Sequence, residues 1–200
     1  MRRGRATKSG GGGTARLVVA AVLLGAAPAA AADIGEKMAP CLACHGAEGQ
    51  SQLKNVPSLG GQTSPYALIQ LFMFREKLRV AEPMNEATKG LSDGDLQAMA
   101  DAIAKLPAPK PPADAGDRAR LERARALSEQ HRCNICHRAD FAGQQGVPRL
   151  ADQREEYLLK ALKEYKSGAR HAWEPSMIEA LQQVPEAQLP DFAYYLAHLR

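Results

Sequence analysis

CNICH, residues 133–137, places two thiols and an imidazole within five positions, and the chain spells the same pattern as CLACH at residues 41–45. On a helical turn, positions i, i+3 and i+4 lie on one face. Cys133, Cys136 and His137 therefore project to one side, as do Cys41, Cys44 and His45. These two stretches hold all four cysteines of the chain, so none remains for a structural disulfide elsewhere.

Three chemistries use such a pair. Zinc sites do, but Cys41 and Cys133 are 92 residues apart, far beyond a zinc-ribbon spacing. A thioredoxin-like redox pair needs a βαβ surround, and this chain has almost no strand pattern. The third is attachment of c-type haem, in which two thiols on one edge form thioethers to the two vinyl groups and the adjacent imidazole reaches the iron from the same side. The repeated C-x-x-C-H selects this one. It gives two covalently attached haem c groups, with Cys41, Cys44, Cys133 and Cys136 as thioether donors and His45 and His137 as axial ligands. An aromatic content of only 5% agrees, since a large prosthetic group replaces apolar filler.

The sixth iron position calls for a second donor. Downstream of His137 the one methionine is Met177, in YKSGARHAWEPSM, after a helix and in a loop closed by Pro175. In the first half, Met38 shares the attachment helix, while Met73 and Met99 fall on apolar helical stripes and read as core. Met84, in RVAEPMNEA, follows a proline after a helix, as Met177 does. From His45 to Met84 is 39 residues and from His137 to Met177 is 40, and that agreement selects Met84.

The agreement belongs to a full internal repeat. VPSLGGQTSPYALIQL (56–71) aligns with VPRLADQREEYLLKAL (147–162) at an offset of 91, pairing Pro57 with Pro148, Gln62 with Gln153 and Tyr66 with Tyr157. Arg79 keeps that offset to Arg170. Leu96, Met99, Ile103 and Leu106 match Leu189, Phe192, Leu196 and Leu199 at an offset of 93, both sets running along one helix face. The fold class expected is all-α, with two tandem units of mainly three helices each. The first copy has helices near 34–45, 65–79 and 92–106, the last capped by Ser92. In the second, the attachment helix starts near Asp117, with Leu121, Ala124 and Leu127 inward. The boundaries expected are 33–106 and 118–200, joined by the proline-rich connector PAPKPPADAGD (107–117) in largely extended form. His131 and His171 read as ordinary histidines beside the second site, and Arg79 and Arg170 either as solvated side chains or as partners of haem propionates.

Residues 1–32 read as a secretory signal: five basic residues and no acid up to Arg16, then LVVAAVLLGAAPAAAA, with cleavage expected near Ala32. A retained anchor is the competing reading, but Gly25 and Pro28 interrupt a run that is already short for spanning. The 26 basic and 22 acidic residues give +4, and without the first 32 residues the balance is −1. The basic excess thus lies on the leader, which argues against a nucleic-acid partner. No further apolar run is long enough to span a membrane, so the mature chain is expected in the periplasm, with membrane-surface association left open.

Two C-x-x-C-H units, each followed by V-P-x-L-x-x-Q, a helix, a methionine segment and a terminal helix, resemble the cytochrome c4 family over residues 33–200. The resemblance implies that each half is a class I cytochrome c-like domain around its haem. It also implies that the carbonyls of Pro57 and Pro148 face the axial imidazoles of His45 and His137. Histidine and methionine on each iron leave no open position and favour electron transfer over catalysis at the metal. The expected function is therefore not an enzyme but an electron carrier between respiratory redox partners, from a quinol-oxidising complex to a terminal oxidase. The alternative is the dihaem electron-accepting subunit of a periplasmic dehydrogenase, such as flavocytochrome sulfide dehydrogenase.

Overall fold

The computed structural model describes residues 34–171, 173 and 175–199, together with Met1 and Gly4. Apart from those two, the expected signal peptide over residues 1–32 lies outside the described residues. Helix α1 spans Ile34–His45, α2 Ser64–Arg75, α3 Met84–Thr88 and α4 Asp93–Lys105. The second half continues with α5 Arg118–Gln130, α6 Cys133–His137, α7 Glu155–Ser167 and α8 Ser176–Gln182, and a 3-10 turn leads into α9 Leu189–Ala197. Among the described residues there is no strand, only an isolated bridge between Gln144 and Val147.

Local chemistry accounts for the helix starts. The Ser92 hydroxyl accepts from the Asp95 N–H at 3.1 Å and the Asp95 carboxylate accepts from the Ser92 N–H at 3.0 Å, a reciprocal cap on α4. Asp117 accepts from the Arg120 N–H at 3.0 Å and starts α5. At α2, Thr63 is the cap, which leaves Pro65 in the first turn where its missing N–H costs nothing. Two elements depart from expectation. Helix α2 ends at Arg75 rather than near 79, with Lys77 left-handed at φ 57°. The second attachment helix is not continuous: His131 ends α5, and Arg132 turns left-handed (φ 55°, ψ 32°) before α6 opens on Cys133.

In each half the terminal helix is the hub. Helix α4 packs on α1 and α2, and α9 packs on α5 and α7. The two apolar stripes recognised in the sequence are the contact faces: Leu96, Met99 and Ile103 are buried in one half, and Leu189, Phe192 and Leu196 in the other. Burying such stripes is the main stabilising contribution in helices of this length. The core around α4 and the core around α9 share no residue.

Residues 107–117 form no regular element and are pinned at both ends. Leu106 O accepts from the Gly61 N–H at 3.0 Å, and a Cβ on Gly60 would meet Pro107 O at 1.9 Å, so only glycine fits there. At the far end the Tyr194 hydroxyl accepts from the Asp117 N–H at 2.6 Å. His198 lies 3.6 Å from the Asp114 carboxylate while its Nδ1 donates to Tyr194 O at 2.8 Å.

The halves meet through contacts that repeat under the internal symmetry. The Gln153 side-chain amide spans the main chain of Ser58, accepting from its N–H at 2.7 Å and donating to its carbonyl at 2.8 Å. Gln62 does the same to Arg149, at 3.0 and 2.8 Å. Ser58 and Arg149 are themselves 91 apart, so each copy of the motif glutamine grips the equivalent point of the other copy. Thr63 and Arg154 also correspond: the Thr63 hydroxyl donates to Gln145 O, and Arg154 Nη1 donates to Ser51 O at 3.1 Å. This is the self-complementary contact of a two-fold dimer, written into one chain.

Because Leu96 and Leu189 are 1% and 0% exposed, Leu96→Ala and Leu189→Ala should each cost about 3 kcal/mol in guanidinium unfolding of the holoprotein. Val80→Ala, at a site 79% exposed, should change stability by less than about 0.5 kcal/mol.

Candidate haem sites

Helix α1 runs directly into its motif and ends on His45, with Gly46 left-handed at φ 86°. The carbonyl of Cys44, orphaned at that helix end, accepts from the Ser51 hydroxyl at 3.2 Å. In the second half the same task falls to Gln144, whose amide donates to Cys136 O at 2.9 Å. Both loops therefore fold back over their own motif.

None of the four cysteines is paired in a disulfide. Cys41 and Cys133 are half-buried, with burial raising both thiols above their ordinary value, and Cys44 and Cys136 are exposed. Both histidines are buried. His45 Nδ1 lies 2.8 Å from Pro57 O, and His137 Nδ1 lies 3.0 Å from Pro148 O. A carbonyl can only accept, so Nδ1 carries the proton and Nε2 keeps its lone pair. Burial pulls both imidazoles below their usual value, against the proline carbonyls, and favours the neutral form that binds metals.

Met84 is the first residue of α3 and Met177 the second of α8. Each methionine therefore sits at the start of a short helix behind a proline, Pro83 or Pro175, rather than in an open loop. Both are half-buried, and Met177 packs against the cluster of Leu181, Val184, Leu189 and Phe192. Met38, Met73 and Met99 are buried at 4%, 3% and 2% exposure, and Met38 and Met99 lie in the first core. His131 is engaged by Gln188 at 3.1 Å and by the Phe192 ring. His171 is exposed.

Between the halves lies a second paired feature that the repeat marked only as conspicuous arginines. Arg79 stacks on Phe74, and its guanidinium approaches the Tyr157 hydroxyl of the other half at 3.5 Å. Arg170 stacks on Tyr165, the residue matching Phe74, and donates to the hydroxyls of Tyr66 at 3.2 Å and Tyr157 at 3.2 Å. Gln70, which takes a 2.6 Å bond from Arg79, has only Ala161 as its counterpart and breaks the symmetry. Both arginines are buried, at 8% and 4% exposure. Among the described residues neither is ion-paired with a carboxylate, and Arg170 Nε has no partner. Burial works to raise the Tyr157 phenol, but Arg170 and Arg79 outweigh it and hold it down to about 7. Two buried cations that draw on a phenol for counter-charge suit a group carrying carboxylates, as haem does. With the thiols on one face and a free Nε2 beside them, the residues of both halves fit a covalently attached haem.

The comparisons agree with this geometry. The cytochrome c family model matches residues 32–107 and again 121–200. Cytochrome c4 of Pseudomonas aeruginosa is 32% identical over 143 residues, covering 67% of this chain and 70% of that one. The chain belongs to the cytochrome c4 family. The solved cytochrome c4 of Acidithiobacillus ferrooxidans superposes with a TM-score of 0.68 at 28% identity, over 81% of this chain and 99% of that one. A thiosulfate dehydrogenase electron acceptor of Thiomonas intermedia is 30% identical over 184 residues, 86% of this chain and 84% of its own. Membership of the cytochrome c4 family makes this an all-α pair of tandem cytochrome c domains carrying haem c, and implies electron transfer. Among the described residues no group of three or more His, Cys, Asp or Glu forms that could hold a metal ion. Cys41→Ser with Cys44→Ser should leave one covalent haem per chain instead of two, read by intact mass and by the pyridine haemochrome.

Proposed function

We propose that this chain is an exported dihaem electron carrier, taking electrons from a quinol-oxidising complex and passing them to a terminal oxidase. Cys41 and Cys44 hold one haem and Cys133 and Cys136 the other. His45 with Met84, and His137 with Met177, are the axial pairs. Pro57 and Pro148 orient the two histidines. The domains run over 33–106 and 118–200 with the connector 107–117 between them, and the leader is removed near Ala32 to release the chain into the periplasm. Among the described residues no helix is long and apolar enough to cross a membrane.

The observation that carries this reading is the matched donor set. Each half presents a buried neutral imidazole braced by a proline carbonyl, and a methionine starting a short helix behind a proline. Thioether sulfur favours the ferrous state and raises the potential, and a saturated iron reorganises little as it changes charge. Both properties suit relay rather than bond-making. A second reading is that the chain accepts electrons from a dehydrogenase, and the Thiomonas relative supports it. A flavocytochrome sulfide dehydrogenase subunit would belong to the same class.

Met84→Ala and Met177→Ala test the ligand assignment. Each should abolish about half of the far-red methionine–iron absorption, lower the potential of that haem and open it to carbon monoxide. If Met84→Ala leaves the band intact, another residue ligates the first iron. Mixing the oxidised holoprotein with a quinol-oxidising complex or with a thiosulfate dehydrogenase and its substrate separates the two partners. Rapid reduction by the first and not the second supports the respiratory carrier, and the reverse supports the dehydrogenase acceptor.

A further inference from the structure

The motif glutamines do more than join the halves. The N–H that Gln153 grips at Ser58 and the carbonyl that His45 Nδ1 meets at Pro57 belong to one planar peptide group. At one edge of that peptide group the Gln153 Oε1 accepts at 2.7 Å; at the opposite edge Pro57 O accepts from the imidazole at 2.8 Å. The same relay exists in the second half, where Gln62 Oε1 accepts from the Arg149 N–H at 3.0 Å and Pro148 O accepts from His137 Nδ1 at 3.0 Å.

We propose that Gln62 and Gln153 are positioning residues acting across the interface, each fixing and polarising the peptide group that orients the axial histidine of the opposite half. The inference rests on His45 and His137 being the iron ligands. Its physical content is twofold. A planar peptide held at its N–H cannot rotate its carbonyl away from the imidazole. An acceptor on the N–H also makes the carbonyl a better acceptor, because hydrogen bonds in a chain polarise one another. A stronger bond at Nδ1 makes the imidazole a more basic ligand, which favours ferric iron.

The clasp is firm at its own end. Gln153 Oε1 also accepts from the Arg154 N–H at 3.0 Å, and Gln153 and Ser58 are both 4% exposed, so water is poorly placed to replace the amide. The wiring is crossed, so the segment that leads into α2 or α7 in one domain bears on the other domain's iron. Two irons in one chain would then be tuned mutually rather than each by its own fold.

The test uses Gln153→Met and Gln62→Met in the holoprotein, which keep side-chain volume and remove both hydrogen bonds. Each haem is followed separately by its paramagnetic methyl proton signals, and the two imidazole Nδ1–H signals by their exchange with solvent. In Gln153→Met the exchange of His45 Nδ1–H should quicken at least tenfold and the potential of that haem should rise, with the second haem little changed. Gln62→Met should show the mirror pattern at His137. Change confined to the histidine of the same half, equal change at both, or none at either would overturn the crossed assignment. If one variant fails to accumulate with both haems, the other carries the test by itself. A failure of the ligand assignment shows separately, as wild-type protein lacking histidine–methionine spectra.

Discussion

The peptide group between Pro57 and Ser58, and its counterpart between Pro148 and Arg149, sit where three parts of the molecule meet. Each connects the imidazole that ends an attachment helix, the loop that returns from it, and a glutamine from the other half. Proline supplies no N–H of its own at that point, and its fixed φ extends the chain so that its carbonyl turns to the histidine. The residue one short of each glutamine, Gly61 or Asp152, is left-handed at φ 65° or 59°, which turns the chain into the next helix. Disturb that peptide plane and the ring orientation, the loop and the domain contact all lose their reference.

Charge adds a second constraint on the interface. Arg79 and Arg170 are buried among Tyr66, Tyr157, Phe74 and Tyr165, so each guanidinium sits against aromatic faces and phenol oxygens contributed by both halves. Aromatic stacking and neutral hydroxyls compensate a buried cation only partly. A group bearing carboxylates, as haem does, would supply the anionic counterpart at that point. Trp173 from the longer second methionine segment reaches across to Phe72, edge-on at 6.0 Å, a contact with no counterpart in the shorter first segment.

Much of this was legible in the sequence, and for reasons that can be named. The apolar stripes at Leu96–Ile103 and Leu189–Leu196 are local periodicity, and they became the contact faces of the hub helices. Ser92 and Asp117 carry capping chemistry that needs no tertiary context. The repeat also aligned Gln62 with Gln153 and Tyr66 with Tyr157, yet gave them no task, because each has a partner in the other copy, 78 to 104 residues away. A self-complementary contact leaves that trace: polar residues repeated in a duplicated chain whose partners lie in the other unit. The break at Arg132 was not legible, since an arginine carries no signal for the left-handed conformation it adopts there. The buried state of Arg79 and Arg170 was hidden similarly, because it follows from the domain contact rather than from their neighbours in sequence.

The most direct measurement is the absorption spectrum of the exported holoprotein, oxidised, then reduced under carbon monoxide. Two irons closed by His45 with Met84 and by His137 with Met177 require far-red methionine–iron absorption from both haems, and no carbon monoxide uptake. A high-spin signal in the oxidised protein, or rapid carbon monoxide binding at either haem, would contradict two saturated relay sites and point instead to chemistry at an open iron.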